Sequence, residues 1–237
     1  MTTDLTTTGP GALTPEAGPN WRIEGEISQV LRITPERAHP IWAQKGSLVA
    51  YSEGIEWDLK IPGGLGAGVS RMLGGEGLSL TFIRATRPGL EVSLASNQPG
   101  KIAVWDLTQG PLICTSGSFL AAVGEVEIQV TVARRAGAAF FGGAGLLLQR
   151  ISGRGHVFVQ GAGDFLHYDL APGQRLLVSS GNLAAFSEQV DYGIRGVGGL
   201  LKIFFGKEGL FMTELKGPGR VMVQSLKRSR MRGQMPQ

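Results

Sequence analysis

One short run of residues occurs three times in this chain in the same surroundings: GEGLSL at 75–80, GAGLLL at 143–148 and KEGLFM at 207–212. Upstream of each lies a glycine that opens an apolar stretch, GSLVAYS from Gly46, GSFLAAV from Gly117 and GNLAAFS from Gly181. Downstream lies a turn signal, ATRPGLEVS at 85–93, ISGRGHVFV at 151–159 and LKGPGRVMV at 215–223. An offset of roughly 64 to 71 residues is above the solenoid range and marks tandem modules. The chain therefore reads as three versions of one β-rich unit, at 46–116, 117–180 and 181–225.

The local signals agree on short strands. Ile55-Glu56-Trp57-Asp58-Leu59-Lys60-Ile61 alternates apolar with charged residues, as a half-buried strand with one wet face must, and 125–130 repeats the pattern in the second unit. Strands are expected at 21–27, 29–33, 41–44, 78–83, 90–94, 102–107, 146–151, 156–159, 166–170, 175–178 and 221–224, with a turn at Thr34-Pro35-Glu36. The 37 glycines follow no collagen period and cluster where apolar runs end, the punctuation of strands joined by tight turns. No long 3.6-residue stripe is present; a turn or two at 68–73 is the best helical candidate. Residues 1–20 read as a flexible lead outside the fold and 226–237 as a flexible basic tail.

Units one and two each close with strand, turn and strand, at 101–117 and 164–181, whereas unit three stops after RVMVQS. The same pattern stands at 29–46. The expectation is that the N-terminal strands, within 21–45, complete the third module and leave no unpaired edge at the termini. Deleting residues 1–20 should then be harmless, and deletion through Gly46 should abolish folding.

The motifs GSLVAYS with GIEW, RMLGGEGLSLT, PGKI followed by WDL, GSFLA, FFGGAGLLLQRISGRGHVFVQ and FFGKEGLFMTELKGPGRVMVQS together resemble the altered-inheritance-of-mitochondria family of mitochondrial biogenesis proteins, from about Trp21 to Ser225. The resemblance to its bacterial members implies an all-β fold of three tandem modules similar to the trp RNA-binding attenuation protein. Each module is a short double-stranded β-helix, the three are related by pseudo-threefold symmetry, and three chains form a ring as a homotrimer. It implies no cofactor and no defined activity.

Composition narrows the function classes. One cysteine, Cys114 in an apolar run, cannot form an internal disulfide and fits a reducing cytoplasm. No apolar run reaches the roughly 18 residues a membrane helix requires. The first 20 residues carry Asp4 and Glu16 but no Lys or Arg, unlike a mitochondrial leader. Of the 23 Lys and Arg, six lie from Lys216 onward, which leaves 17 basic against 19 acidic residues before it; the body is not basic, only its end. Lys227, Arg228, Arg230 and Arg232 are the candidates for polyanion contact.

Catalytic signatures are missing from the sequence. His39, His156 and His167 share no ligand spacing with each other or with Cys114, so no metal is expected. No G-x-S-x-G elbow occurs, and glycine-flanked Ser118 recurs as Ser47 but becomes Asn182, as a turn residue can and a nucleophile cannot. Gly63-Gly64-Leu65-Gly66-Ala67-Gly68 lacks the Lys-Ser/Thr pair of a phosphate loop. No catalytic, cofactor or metal residues are assigned. Phe140, Phe141, Phe204 and Phe205 are candidates for packing between modules or chains. The sequence thus points to a non-enzymatic, ring-forming scaffold with a protein partner of unknown identity. Its alternatives are an RNA-binding protein acting through the basic tail or rim and a small-ligand-binding protein.

Overall fold

The computed structural model describes residues 17–36, 39–62, 79–115, 117–132, 147–196 and 211–227. Within them the chain is nearly all β: β1 (Trp21–Glu24), β2 (Val30–Ile33), β3 (Ile41–Gln44), β4 (Leu48–Tyr51), β5 (Ile55–Lys60), β6 (Leu80–Ala85), β7 (Val92–Ala95), β8 (Ile102–Asp106) and β9 (Leu112–Thr115). There follow β10 (Phe119–Val132), β11 (Leu147–Gln160), β12 (Phe165–Leu170), β13 (Arg175–Ser179), β14 (Leu183–Ser187), β15 (Asp191–Gly196), β16 (Phe211–Lys216) and β17 (Gly219–Gln224). A 3-10 turn at Leu107–Gln109 joins β8 to β9, opened by Asp106, whose carboxylate accepts from Thr108 N. The helical candidate at 68–73 lies outside the described residues.

The strands form three antiparallel sheets: one runs β1-β2-β7-β4, one runs from β12 through β17, β14, β9, β11, β10, β3 and β6 to β5 with β8 against β11, and one runs β13-β16-β15. Hairpins are handed forward along the chain. Strand β8 pairs with the far half of β11, while β9 lies between β11 and β14. Strands β12 and β13 pair with β17 and β16. Strands β2 and β3 likewise pair with β7 and β6, and β3 continues onto β10.

This pairing corrects the closure expected from the sequence. The N-terminal strands do not complete the third module; they serve the first and join it to the second. The pattern at 29–46 does correspond to the elements it resembles, but each such hairpin belongs to the unit that follows it, and β12 and β13 supply the one that unit three uses.

The turn expected at 151–159 is also corrected: β11 runs unbroken for 14 residues opposite the 14 of β10. The signal was the glycines. At Gly153 and Gly155, φ is 109° and 137°, and a Cβ there would meet the carbonyl oxygens of Glu125 and Val123 at 2.1 and 2.0 Å. They let two strands bend together at close approach without parting.

Both termini of the described chain are more tied down than expected. Ala17 bridges to Arg22, Thr34 N donates to Asn20 O, and Leu226 N donates to Ala162 O. The lead at 1–20 therefore contributes its last four residues to the fold, and the tail at 226–237 its first.

Buried apolar side chains gather in three clusters. The first is built on Leu31, Ile33, Ile83, Val92 and Leu94, the second on Leu112, Cys114, Phe119, Ile151 and Val157, and the third on Leu148, Phe186, Leu215 and Val221. Each draws on strands from more than one unit, so the units share core rather than touching as finished domains.

Candidate functional site

Of the residues singled out for function, Lys227 is exposed beside Gly181 at the end of the described chain. Arg228, Arg230 and Arg232, like Phe140, Phe141, Phe204 and Phe205, lie outside the described residues. The serine that recurs after the module-opening glycine makes structural bonds: Ser47 Oγ donates to Gln44 O at 2.7 Å, and Ser118 Oγ shares a 3.0 Å bond with Thr115 Oγ1. In the third unit Asn182 Nδ2 donates to Gln224 O at 2.9 Å. Glu56 and Asp58 are exposed and flank Arg84, each 3.5 Å from its Nη2.

The fold sets His167 apart from the other two histidines. His167 sits beside Phe165 on β12, where burial first and the Arg220 guanidinium second hold it below the ordinary histidine range. His39 and His156 border one open cleft of about 170 Å³, where the β2–β3 connection meets the bend of β10 and β11. Its polar groups are largely satisfied by one another. Glu36 accepts from Asn20 Nδ2 at 3.2 Å and meets His39 Nδ1 at 2.9 Å, while Glu125 lies 3.7 Å from His39 Nε2. The Glu36 hydrogen bond is the main reason His39 is held above the ordinary histidine range. His156 rests its ring against Trp21 at 5.6 Å. This is the chemistry of a locked connection. Among the described residues no three His, Cys, Asp or Glu side chains cluster as metal ligands would.

What the sequence reading missed is a surface. The alternating β5 was expected to bury its apolar face; Ile55 is buried, but Trp57 and Leu59 are 45% and 50% exposed, and Ile61 beyond it is exposed too. Adjacent β4 shows Val49 and Tyr51 at 62% and 50%, and β13 shows Leu177 at 55%. Counted from the opening glycines, Val49 corresponds to Leu120 and Ala184, and Tyr51 to Ala122 and Phe186, all four of which are fully buried. The difference lies in cover: β10 and β14 have β3 and β9 laid along them, and β4 pairs with β7 alone among the described residues. The signal was present in the three aligned apolar runs, but burial had to be seen before the first could be told from the other two.

Residues 21–226 match the model of the AIM24 family, described as mitochondrial biogenesis AIM24. The chain belongs to this family. An uncharacterized protein of Streptococcus pyogenes serotype M6 is 26% identical over 206 residues, 83% of this AIM24 chain and 81% of that protein. The crystal structure of a Streptococcus pyogenes protein superposes with a TM-score of 0.72 at 23% identity, covering 87% of this chain and 93% of that one. That likeness concerns the fold. In this AIM24 member no helix among the described residues is long and apolar enough to cross a membrane.

Proposed function

We propose that this AIM24 protein is a non-enzymatic, ring-forming homotrimer that serves as an interaction scaffold, built from three copies of one β unit. A single observation carries the reading: positions that are fully buried in the second and third units are uncovered in the first, on a strand edge with no second neighbour among the described residues. Apolar side chains exposed at an uncovered strand edge mark association. A repeating unit that always hands a hairpin forward has a donor at one end and an acceptor at the other, and such heterologous contacts close into rings when the rotation permits. The number three rests on the family resemblance. The contacts that hold each histidine (His39 to Glu36, His156 to Trp21, His167 to Phe165), and the structural bonds of the recurrent serine, support a role without catalysis.

Light scattering coupled to size exclusion tests it. The expected mass is three times 25.1 kDa; a mass of 25.1 kDa that persists at high protein concentration would overturn the proposal.

A further inference from the structure

The handover register within the chain specifies how one copy meets the next. Ala43 of β3 faces Ala121 of β10 and Trp42 faces Ala122; Cys114 of β9 faces Ala185 of β14 and Ile113 faces Phe186. Both junctions obey one count. The residue three before a hairpin's closing glycine (Gly46 or Gly117) faces the residue four after the next unit's opening glycine (Gly117 or Gly181). The hairpin β12–β13 closes at Gly181 in the same way, yet β13 pairs only with β16, and its outer edge has no strand beside it among the described residues. The edge of β4 after Gly46 is the matching acceptor, likewise bare.

We propose that β13 of one copy pairs antiparallel with β4 of a second copy, Val178 opposite Ala50, Leu177 opposite Tyr51 and Leu176 opposite Ser52. The inference rests on the assembly reading above and adds the partner strands, their direction and their register. Three observations converge on it. The strand edges are complementary in backbone terms, each presenting unpaired N–H and C=O groups that an added strand would satisfy. Their side chains match, because Leu177 stands where Ile113 and Trp42 stand, and Tyr51 where Phe186 and Ala122 lie buried. The third is a hydrogen bond: Thr115 Oγ1 donates to Leu183 O and Ala184 O at 3.2 Å across the β9–β14 junction, and Ser179 occupies the position of Thr115 with a hydroxyl able to reach Leu48 O or Val49 O of the second copy. An isologous β4–β4 contact would instead leave every β13 edge bare.

Cysteine pairs in the full-length chain decide the matter, with Cys114 kept because it is fully buried. Under mild oxidation, Leu177→Cys/Tyr51→Cys is expected to give covalently linked chains on a non-reducing gel, and each single variant none. Leu177→Cys/Val49→Cys, displaced by two residues or roughly 6–7 Å along the strand, should yield about tenfold less because the sulfurs fall outside disulfide reach. Equal linkage of both pairs, or linkage by Tyr51→Cys alone, would overturn the register. Light scattering of the untreated protein separates the two levels. An assembled protein whose Leu177→Cys/Tyr51→Cys pair does not link overturns this pairing and leaves the scaffold reading standing, whereas a monomer overturns both. Tyr51→Lys, with unchanged far-ultraviolet circular dichroism, is expected to reduce the mass to 25.1 kDa; an unchanged mass would contradict the pairing.

Discussion

Gly155 shows how much a single hydrogen in place of a methyl can decide. Its φ of 137° and the Val123 oxygen 2.0 Å from where a Cβ would stand leave no room for any side chain, and the obstacle is backbone in the strand opposite. Gly155→Ala is therefore expected to cost about 2–4 kcal/mol. Gly173, with φ 79° but nothing within 4 Å, should lose only about 1 kcal/mol on the same change; chemical denaturation of the two variants side by side checks the contrast. Histidine 39 supplies a second test at this scale. Its folded-state pKa is raised, chiefly by the Glu36 hydrogen bond, so the stability it contributes is fully present below the ordinary value near 6.5 and is lost as pH rises through the folded value. Replacing Glu36 by Gln should move the His39 midpoint, followed by NMR, down toward the ordinary range. A midpoint that stays put would show that Glu36 is not its main partner.

Strands β2 and β3 matter to the fold out of proportion to their length. Leu31, Ile33 and Ile41 are buried almost completely in the first cluster, and at about 1.5–3 kcal/mol for each such side chain their removal approaches the whole stability of a domain, about 5–15 kcal/mol. A chain starting at Ser47 should show no cooperative thermal transition. The expectation is the one drawn from the sequence, but the reason differs: the lost strands deprive β7, β6 and β10 of a partner on one edge each, and take nothing from unit three. Strand β5 illustrates the opposite case. Its alternation correctly marks a strand and correctly separates its two faces, yet period-two patterning says only which side is apolar. Whether that side meets core or water depends on what lies beside the strand.

The whole molecule, as a single chain, leaves the complementary edges of β4 and β13 without a neighbouring strand among the described residues, and its stability should reflect that. If copies join through them, the folded state gains from mass action, and the thermal midpoint should rise with protein concentration. Tyr51→Lys should flatten that dependence as well as lower the mass. A midpoint independent of concentration over a hundredfold range, roughly 2.7 kcal/mol of mass action for one tight site, would argue that the chain is complete alone.

The amino-acid sequence by itself determined the all-β class, most strand positions and the glycine-punctuated spacing, because these follow from side-chain periodicity and backbone freedom, which are local. It also placed the opening glycines against which every junction is counted. Three things were decided only by tertiary structure. The glycines at 153 and 155 bend a continuous strand instead of ending it, since a positive φ is compatible with either and the close approach of β10 selects the bend. The N-terminal hairpin serves the unit after it, since strand propensity carries no address. The apolar runs after Gly46, Gly117 and Gly181 look alike in sequence, yet only the first lies open, because burial belongs to the neighbours a strand acquires and not to the strand.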